Sequence, residues 1–429
     1  MANSGLEVSA ESRSLSGIQY VAWAFAWLAL VLDVMDWQFL AMAAPHVTKE
    51  YGFSMTNMGI LLGAPLIGAG VGGIFSGWLA DKMGRVKTMF ICMCWYSLFT
   101  IFFPFSSSFS EMLVLRVLAG LGLGAQWGVG NTLVAELLPS RVRILASSTI
   151  QTGFAFGPLL AAYFSKLIIP AYGWKPLFYI GAVGFVLAFF ALIFIPESPA
   201  WLEAKKRANS SSGSKTQLGN IGALLKGQYR SRAILSLLLV SGTLFAYWAS
   251  MSWIPSWLAK DKGMSIISSM NYIIIMNVGG VIGFILFGLI ADRFGRKPPA
   301  YVALIASTLG VLIFVNIRSA DLLLWYAPFY AFFTYPIFGL YGGYLSELFP
   351  TEVRGTAVTG IYNFGRLLSF FGPYILGWVA GISSISVAIG ATAVLYLVAI
   401  IPLAILPETI QRKADKPGKV AVSAVGADR

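Results

Sequence analysis

Charge is the scarcest resource in this 429-residue sequence. Only 11% of its residues are Asp, Glu, Lys or Arg, while 57% are hydrophobic. A soluble domain carries roughly 25% charged residues, so lipid is the expected solvent, and the mean hydropathy of +0.76 agrees. Cysteine is nearly absent. Cys92 and Cys94 lie two apart in one apolar run, on different sides of a helix, which excludes a disulfide framework and a metal cluster. The single histidine, His46, is expected in a loop beside Pro45 with no chemical role. No Gly-x-x-x-x-Gly-Lys-Ser/Thr stretch occurs, so no nucleotide site is expected, nor any cofactor or metal. Met1 to Tyr20 lacks a basic n-region and a cleavage site and reads as a cytoplasmic tail rather than a signal peptide.

What the chain has instead is long apolar runs. A helix needs about 20 apolar residues to cross the hydrocarbon core. Runs of that kind fall at 18–42, 55–80, 88–106, 112–135, 144–165, 176–195, 232–258, 268–290, 299–316, 322–346, 356–380 and 385–406, numbered here as spans 1 to 12. With the N-terminus inside, 22 of the 30 Lys and Arg face the cytoplasm and 6 face out. The outer six are Lys49, Lys166, Lys175, Lys260, Lys262 and Arg318; Arg116 and Arg366 sit within spans. The positive-inside rule therefore puts both termini in the cytoplasm of an inner-membrane protein. The net charge of +12 reflects topology, with the lipid bilayer as partner and no nucleic acid.

The sequence is also duplicated. Gly77-Trp-Leu-Ala-Asp81-Lys-Met-Gly84-Arg85 recurs 211 residues later as Gly288-Leu-Ile-Ala-Asp292-Arg-Phe-Gly295-Arg296. Glu136-Leu-Leu-Pro139 through Arg143 recurs at the same offset as Glu347-Leu-Phe-Pro350 through Arg354, and Pro196-Glu197 as Pro407-Glu408. Three matches at one offset, each at a cytoplasmic helix end, predict an all-α integral membrane fold of twelve transmembrane helices in two parallel six-helix repeats. The boundaries read as a tail 1–17, a bundle 18–201, a polar linker 202–230, a bundle 231–409 and a tail 410–429.

The Gly-x-x-x-Asp-x-x-Gly-Arg loop, present in both halves, resembles the signature of the major facilitator superfamily. The resemblance implies a transporter without catalytic residues and a functional monomer. It also implies a charged gate on the cytoplasmic side: Asp81, Arg85, Glu136 and Arg143 in one half, Asp292, Arg296, Glu347 and Arg354 in the other. Topogenic charge alone is the competing reading.

Ionisable groups within spans are costly, about 2.5–3.5 kcal/mol at a helix centre on insertion scales, so each is a functional candidate. Asp33 and Asp36 lie one turn apart on span 1, Arg116 in the outer half of span 4 and Arg366 near the middle of span 11. On span 4, Gly120, Gly124 and Gly128 favour close helix contact. Trp127 and Asn131 fall at about 20° and 60° from Arg116, with Gln126 adjoining. Span 11 groups Tyr362, Asn363 and Arg366; Gln151, Tyr335 and Tyr341 complete the candidate substrate contacts. A guanidinium offers a planar fork to a carboxylate. Arg366 is read either as that contact or as a structural partner for an acid of the other half. Arg116 is read with Asp33 and Asp36 in proton coupling, or as a strut. Trp257 and Trp325 are expected as interfacial anchors.

Leu32-Asp33-Val-Met-Asp36-Trp, Arg116-Val-Leu-Ala-Gly120-Leu-Gly-Leu-Gly124 and Gly360-Ile-Tyr-Asn-Phe-Gly365-Arg366 resemble motifs of the sialate:proton and aromatic-acid:proton symporters. That implies proton-coupled import of a small organic anion, with Asp33 and Asp36 in coupling or binding. Val34-Met35 stands where the aromatic-acid branch has Gly-Phe, which tilts the expectation toward sialate or short-chain acids. Pro196-Glu-Ser-Pro-Ala-Trp201 resembles a sugar-transporter segment. Gly153-x-x-x-Gly157-Pro158 partly matches an antiporter motif of drug exporters. Sugar or polyol symport and proton-driven export are therefore the alternatives.

Overall fold

The computed structural model describes residues 15–210, 229–349 and 351–409. Among them, eleven helices are long and apolar enough to cross a bilayer. Span 1 is Gly17–Tyr51, span 2 Met55–Met83, span 3 Arg85–Phe105, span 4 Phe109–Leu137, span 5 Leu145–Tyr172 and span 6 Lys175–Phe194. The second set is span 7 Tyr229–Lys260, span 8 Ile266–Phe294, span 9 Lys297–Asn316, span 10 Ala320–Leu348 and span 12 Ile385–Ile405. Span 11 is the twelfth crossing, made in two pieces, Thr351–Leu368 and Phe371–Ile382. Pro373 explains the break, because a proline cannot donate to the carbonyl four residues back and its ring clashes there. A further helix, Pro199–Ser210, leads away from the first six spans.

Two expectations about ends change. Span 1 runs through Pro45 and stops only at Gly52, whose φ of 68° is left-handed, so His46 belongs to the helix and not to a loop. Trp257 is fully buried and donates from Nε1 to Ser386 Oγ at 2.8 Å; it ties span 7 to span 12 instead of anchoring in the lipid interface. Trp325, by contrast, is 73% exposed.

Spans 4 and 10 are each irregular near their middle, at Gly124 and at Tyr335, positions 211 residues apart. Both residues keep right-handed helical dihedrals and donate to the carbonyl four residues back, at 3.2 and 3.0 Å, so each span continues through its irregularity. Gly120 and Gly124 pack directly on Pro65 and Ala69 of span 2, where an added Cβ would strike backbone oxygens. Gly128, expected on the same contact face, has nothing within 4 Å.

The two halves meet along spans 2 and 11 and along spans 5 and 8. A Cβ on Gly63 would stand 2.6 Å from Phe370 O, and one on Gly70 2.9 Å from Leu367 Cβ. Gly59 lies against Pro373 and Gly73 against Asn363. Further toward the end that carries Arg85 and Arg296, Gly77 and Gly360 have no such neighbour. The halves therefore close together at one end and diverge at the charged-loop end. Among the described residues, the hydrogen bonds stay within halves except for a 3.7 Å contact from Lys260 Nζ to Met55 Sδ.

The charged loops repeat one geometry. Arg85 bridges Asp81 at 3.2 Å and Glu136 at 3.1 Å; Arg296 bridges Asp292 at 2.6 Å and Glu347 at 2.9 Å. The side chains of Arg143 and Arg354 lie outside the described residues. The repeated Pro-Glu pair gains a physical role here. Glu197 accepts from Arg85 N and Val86 N at 2.8 and 3.1 Å, and Glu408 from Arg296 N and Lys297 N at 2.9 and 3.0 Å. Each carboxylate satisfies the free N–H groups opening spans 3 and 9, where the helix dipole favours an anion. Gly84 and Gly295 make room for it at φ 103° and 105°, with ψ 162° and 170°, a region open essentially to glycine alone.

Replacing Gly295 by Ala should cost about 1–3 kcal/mol, because the new Cβ stands 2.8 Å from Glu408 Oε2. Gly288→Ala, in open space within a helix, should leave stability equal or slightly raised. Thermal unfolding of the two variants in detergent checks both; equal midpoints would remove the capping account.

Candidate functional site

The polar core is assembled from spans 1, 3, 4 and 11. Every residue of span 1 from Ala29 to Ala44 is buried, which draws both aspartates out of solvent. They do not share one partner. Asp36 accepts from Thr100 Oγ1 at 2.8 Å, and Arg116 is the cation whose charge bears on it most. Arg116 donates from Nη2 to Trp37 O at 3.3 Å and lies over the Phe103 ring at 5.8 Å. This pair is wholly within the first half. Asp33 instead feels Arg366 of the second half most strongly.

Among the described residues no ion pair within 4 Å closes between either aspartate and either arginine. Asp33 Oδ1, Asp36 Oδ1, Arg116 Nε and Nη1, and Arg366 Nε are buried without a hydrogen-bond partner. Two acids and two bases thus give a formally neutral interior whose hydrogen-bonding capacity is only partly spent. Buried polar groups are ordinarily paired, and exceptions mark ligand, ion or catalytic positions.

Aromatic rings frame Arg366. Its guanidinium carbon lies 5.1 Å from the Tyr362 ring centre and 5.7 Å from that of Trp37. Each of those rings pairs with a ring of the opposite half. Trp127 of span 4 stacks on Tyr362 at 4.4 Å and 13°; Trp37 meets Trp248 of span 7 at 4.4 Å and 41°. The first pair lies toward the charged-loop end, the second away from it. Arg366 is shut between them, 4% exposed.

The remaining predicted residues divide. Gln126 is buried with neither amide atom hydrogen-bonded, and Asn363 Oδ1, packed on Gly73, is likewise unpaired. Gln151 is engaged, accepting from Trp127 Nε1 at 3.0 Å, and so sets the ring that stacks on Tyr362. Asn131 does not join the group. It donates to Trp127 O at 2.6 Å and accepts from Ser147 at 3.0 Å, which ties its amide to spans 4 and 5 of its own half. Tyr335 donates to Asn277 Oδ1 at 3.1 Å, and the Tyr341 and Thr243 hydroxyls lie 2.6 Å apart. Both tyrosines belong to a cluster with Tyr247 and Phe338 in the second half.

Sequence reasoning missed Trp37, Trp248 and Thr100. A signal existed for the two tryptophans. Indoles collect at membrane interfaces, so a tryptophan in mid-span is out of place unless it faces protein.

A family model described as the Major Facilitator Superfamily matches residues 26–369. The cis,cis-muconate transport protein of Acinetobacter baylyi is 31% identical over 391 residues, 90% of this chain and 94% of that protein. The sialic acid transporter of Escherichia coli is 25% identical, covering 85% of this chain and 88% of its own. Among solved structures, a partially occluded, inward-open form of the Escherichia coli xylose transporter superposes with a TM-score of 0.72 at 19% identity. It covers 92% of this chain and all of that one, a likeness of fold.

The Asp33–Arg366 attraction has a measurable consequence. Arg366→Met removes the cation whose charge most favours an ionised Asp33 and should lower stability. Adding Asp33→Asn should recover part of that, giving a coupling energy in a double-mutant cycle. Midpoints of unfolding in detergent that simply add would show the two groups to be independent.

Proposed function

Because this chain belongs to the Major Facilitator Superfamily, we propose that it imports a small, flat organic acid anion together with a proton by alternating access. The observation that carries this reading is Arg366. A buried guanidinium with an unpaired donor, at the meeting of the two halves and between aromatic rings, suits a carboxylate on a conjugated body. The muconate-transporting relative favours the same class over a sialate.

On this reading the charged-loop end is cytoplasmic, the bundles are 18–201 and 231–409 joined by the linker 202–230, and the working unit is a monomer in the inner membrane. The halves close at the outer end, and Trp127 on Tyr362 is the last layer between Arg366 and the cytoplasm. Rocking costs little directional bonding, because among the described residues only the Lys260–Met55 contact links the halves by a hydrogen bond. The glycine contacts at Gly59, Gly63, Gly70 and Gly73 slide or part as surfaces do. The Asp81–Arg85–Glu136 and Asp292–Arg296–Glu347 clusters brace the inner ends of their own halves.

Proton coupling follows from a shared partner. Asp33 and a substrate carboxylate compete for the charge of one buried cation, Arg366. When the anion takes the guanidinium, a proton on Asp33 keeps the site neutral. When the anion leaves inward, Arg366 returns to Asp33 and the proton is released. Asp36, held by Thr100 and balanced by Arg116, fixes the local field without leaving its half. The membrane potential adds about 2.3 kcal/mol per charge per 100 mV wherever net charge moves.

Energised right-side-out vesicles given labelled benzoate, cis,cis-muconate, sialate and a hexose test the reading. The two conjugated acids should accumulate under an inward proton gradient, faster as external pH falls. If no acid enters while a cationic dye is expelled, export is the function. Arg366→Lys should cut uptake about tenfold or more, since roughly 1.4 kcal/mol of lost fork geometry is a factor of ten. Asp33→Asn should abolish accumulation yet preserve counterflow; accumulation by that variant would exclude Asp33 as the coupling acid.

A further inference from the structure

A narrow crevice crosses the interface between the halves near Arg366, and the substrate contacts named above include only Tyr335 of its lining. Its walls include Gln38 and Met42 of span 1, Met251 of span 7, Met276 and Asn277 of span 8, and Tyr335 of span 10. All six are buried. Gln38 and Met42 follow Trp37 by one and five residues, and Met251 follows Trp248 by three. The crevice therefore begins about one helical turn beyond the Trp37–Trp248 pair, on the side away from the charged loops. Arg366 lies against the Trp37 ring. The tryptophan pair thus stands between the guanidinium, which Trp37 touches, and helix positions whose near neighbours Gln38 and Met251 line the crevice.

We propose that this crevice is the apolar end of the transported anion's site, and that Trp37 and Trp248 are the flat walls joining it to the carboxylate end at Arg366. The ligand class is a flat conjugated acid: its carboxylate on Arg366, its planar body against the two indoles, its far end among the methionines. The proposal rests on the organic-anion reading above and goes further by assigning its specificity.

The chemistry of the walls selects that class. Three thioethers face the crevice; methionine is unbranched and polarisable, reshapes around an irregular apolar body and contacts aromatic edges favourably. That flexibility matters, because the crevice is now only about large enough for one water. The indoles meet at 41° rather than face to face, a wedge that a flat ring opens without turning both helices. Two of the three polar side chains named here are engaged with protein, and of the three only the Gln38 amide has no hydrogen bond among the described residues. Tyr335 donates to Asn277 Oδ1, and Asn277 Nδ2 donates to Ile273 O at 2.8 Å. A sugar acid bringing several hydroxyls would lose their hydration and find few free partners here, a cost of about 1–3 kcal/mol for each unsatisfied group.

The test fills the crevice from its wall. Uptake of benzoate and of 4-ethylbenzoate is measured in vesicles carrying the full chain or Met276→Phe, and the two KM values are compared as a ratio. Met276→Phe should shift the ratio of 4-ethylbenzoate to benzoate KM upward by tenfold or more, and Met276→Leu, closer in volume, by less. Equilibrium binding of the same acids to purified protein, followed by tryptophan fluorescence, gives the same ratio if a variant folds but turns over poorly. A second arm, Trp248→Ala, should weaken binding of both aromatic acids more than that of propionate. An unchanged ratio in Met276→Phe, with both acids still transported, overturns the crevice assignment and leaves the transport reading standing. Failure of the unaltered chain to bind or move any carboxylate removes both.

Discussion

A guanidinium buried at the seam between two bundles, between aromatic rings and with no ion pair closed on it among the described residues, is the constraint around which this molecule is organised. Full burial of Arg366 beside Trp37 and Tyr362 is tolerable because Asp33 balances it from the other half. The balance is incomplete, since no salt bridge closes. A tight cross-half ion pair would hold the bundles in one arrangement, and a missing acid would leave a charge with no compensation in a medium that punishes it. The intermediate arrangement keeps the halves attracted yet exchangeable, which is what a site that must open on alternate sides needs.

The rest of the interface follows the same rule. Directional bonds are kept inside each half: Arg85 with Glu136, Arg296 with Glu347, Glu197 and Glu408 on the helix starts, Trp253 on Pro373 O. Between halves stand glycine against backbone and ring against ring. Such contacts gain dispersion and lose little direction when they slide. The two cross-half aromatic pairs lie on either side of Arg366, so that one buried cation touches one ring of each.

Much of this was legible from the chain. The offset of 211 residues, repeated in Asp81 and Asp292, Glu136 and Glu347, Glu197 and Glu408, announces two equivalent bundles, and the structure gives both copies the same bonds. Asp33, Asp36, Arg116 and Arg366 were visible as charges where charge is expensive. What periodicity could not supply was partnership. Asp33 and Asp36 share a helix face, yet one looks to the other half and one to Thr100. Asn131, on the favoured face of span 4, is absorbed by Ser147. An angle around one helix does not tell which neighbouring hydroxyl a side chain will meet, and Ser147 stands where Asn131 points.

Sequence by itself determined the solvent, the number of crossings, the duplication and the identity of the buried charges. These are properties of composition and local spacing, and lipid enforces them on each segment separately. Tertiary structure decided which charge meets which, that Trp37 and Trp248 face each other in mid-membrane, and that Glu197 caps the helix beginning at Arg85. Those are contacts between residues far apart in the chain. Their geometry depends on where two bundles dock and on the break of span 11 before Pro373, and a linear pattern carries no record of that.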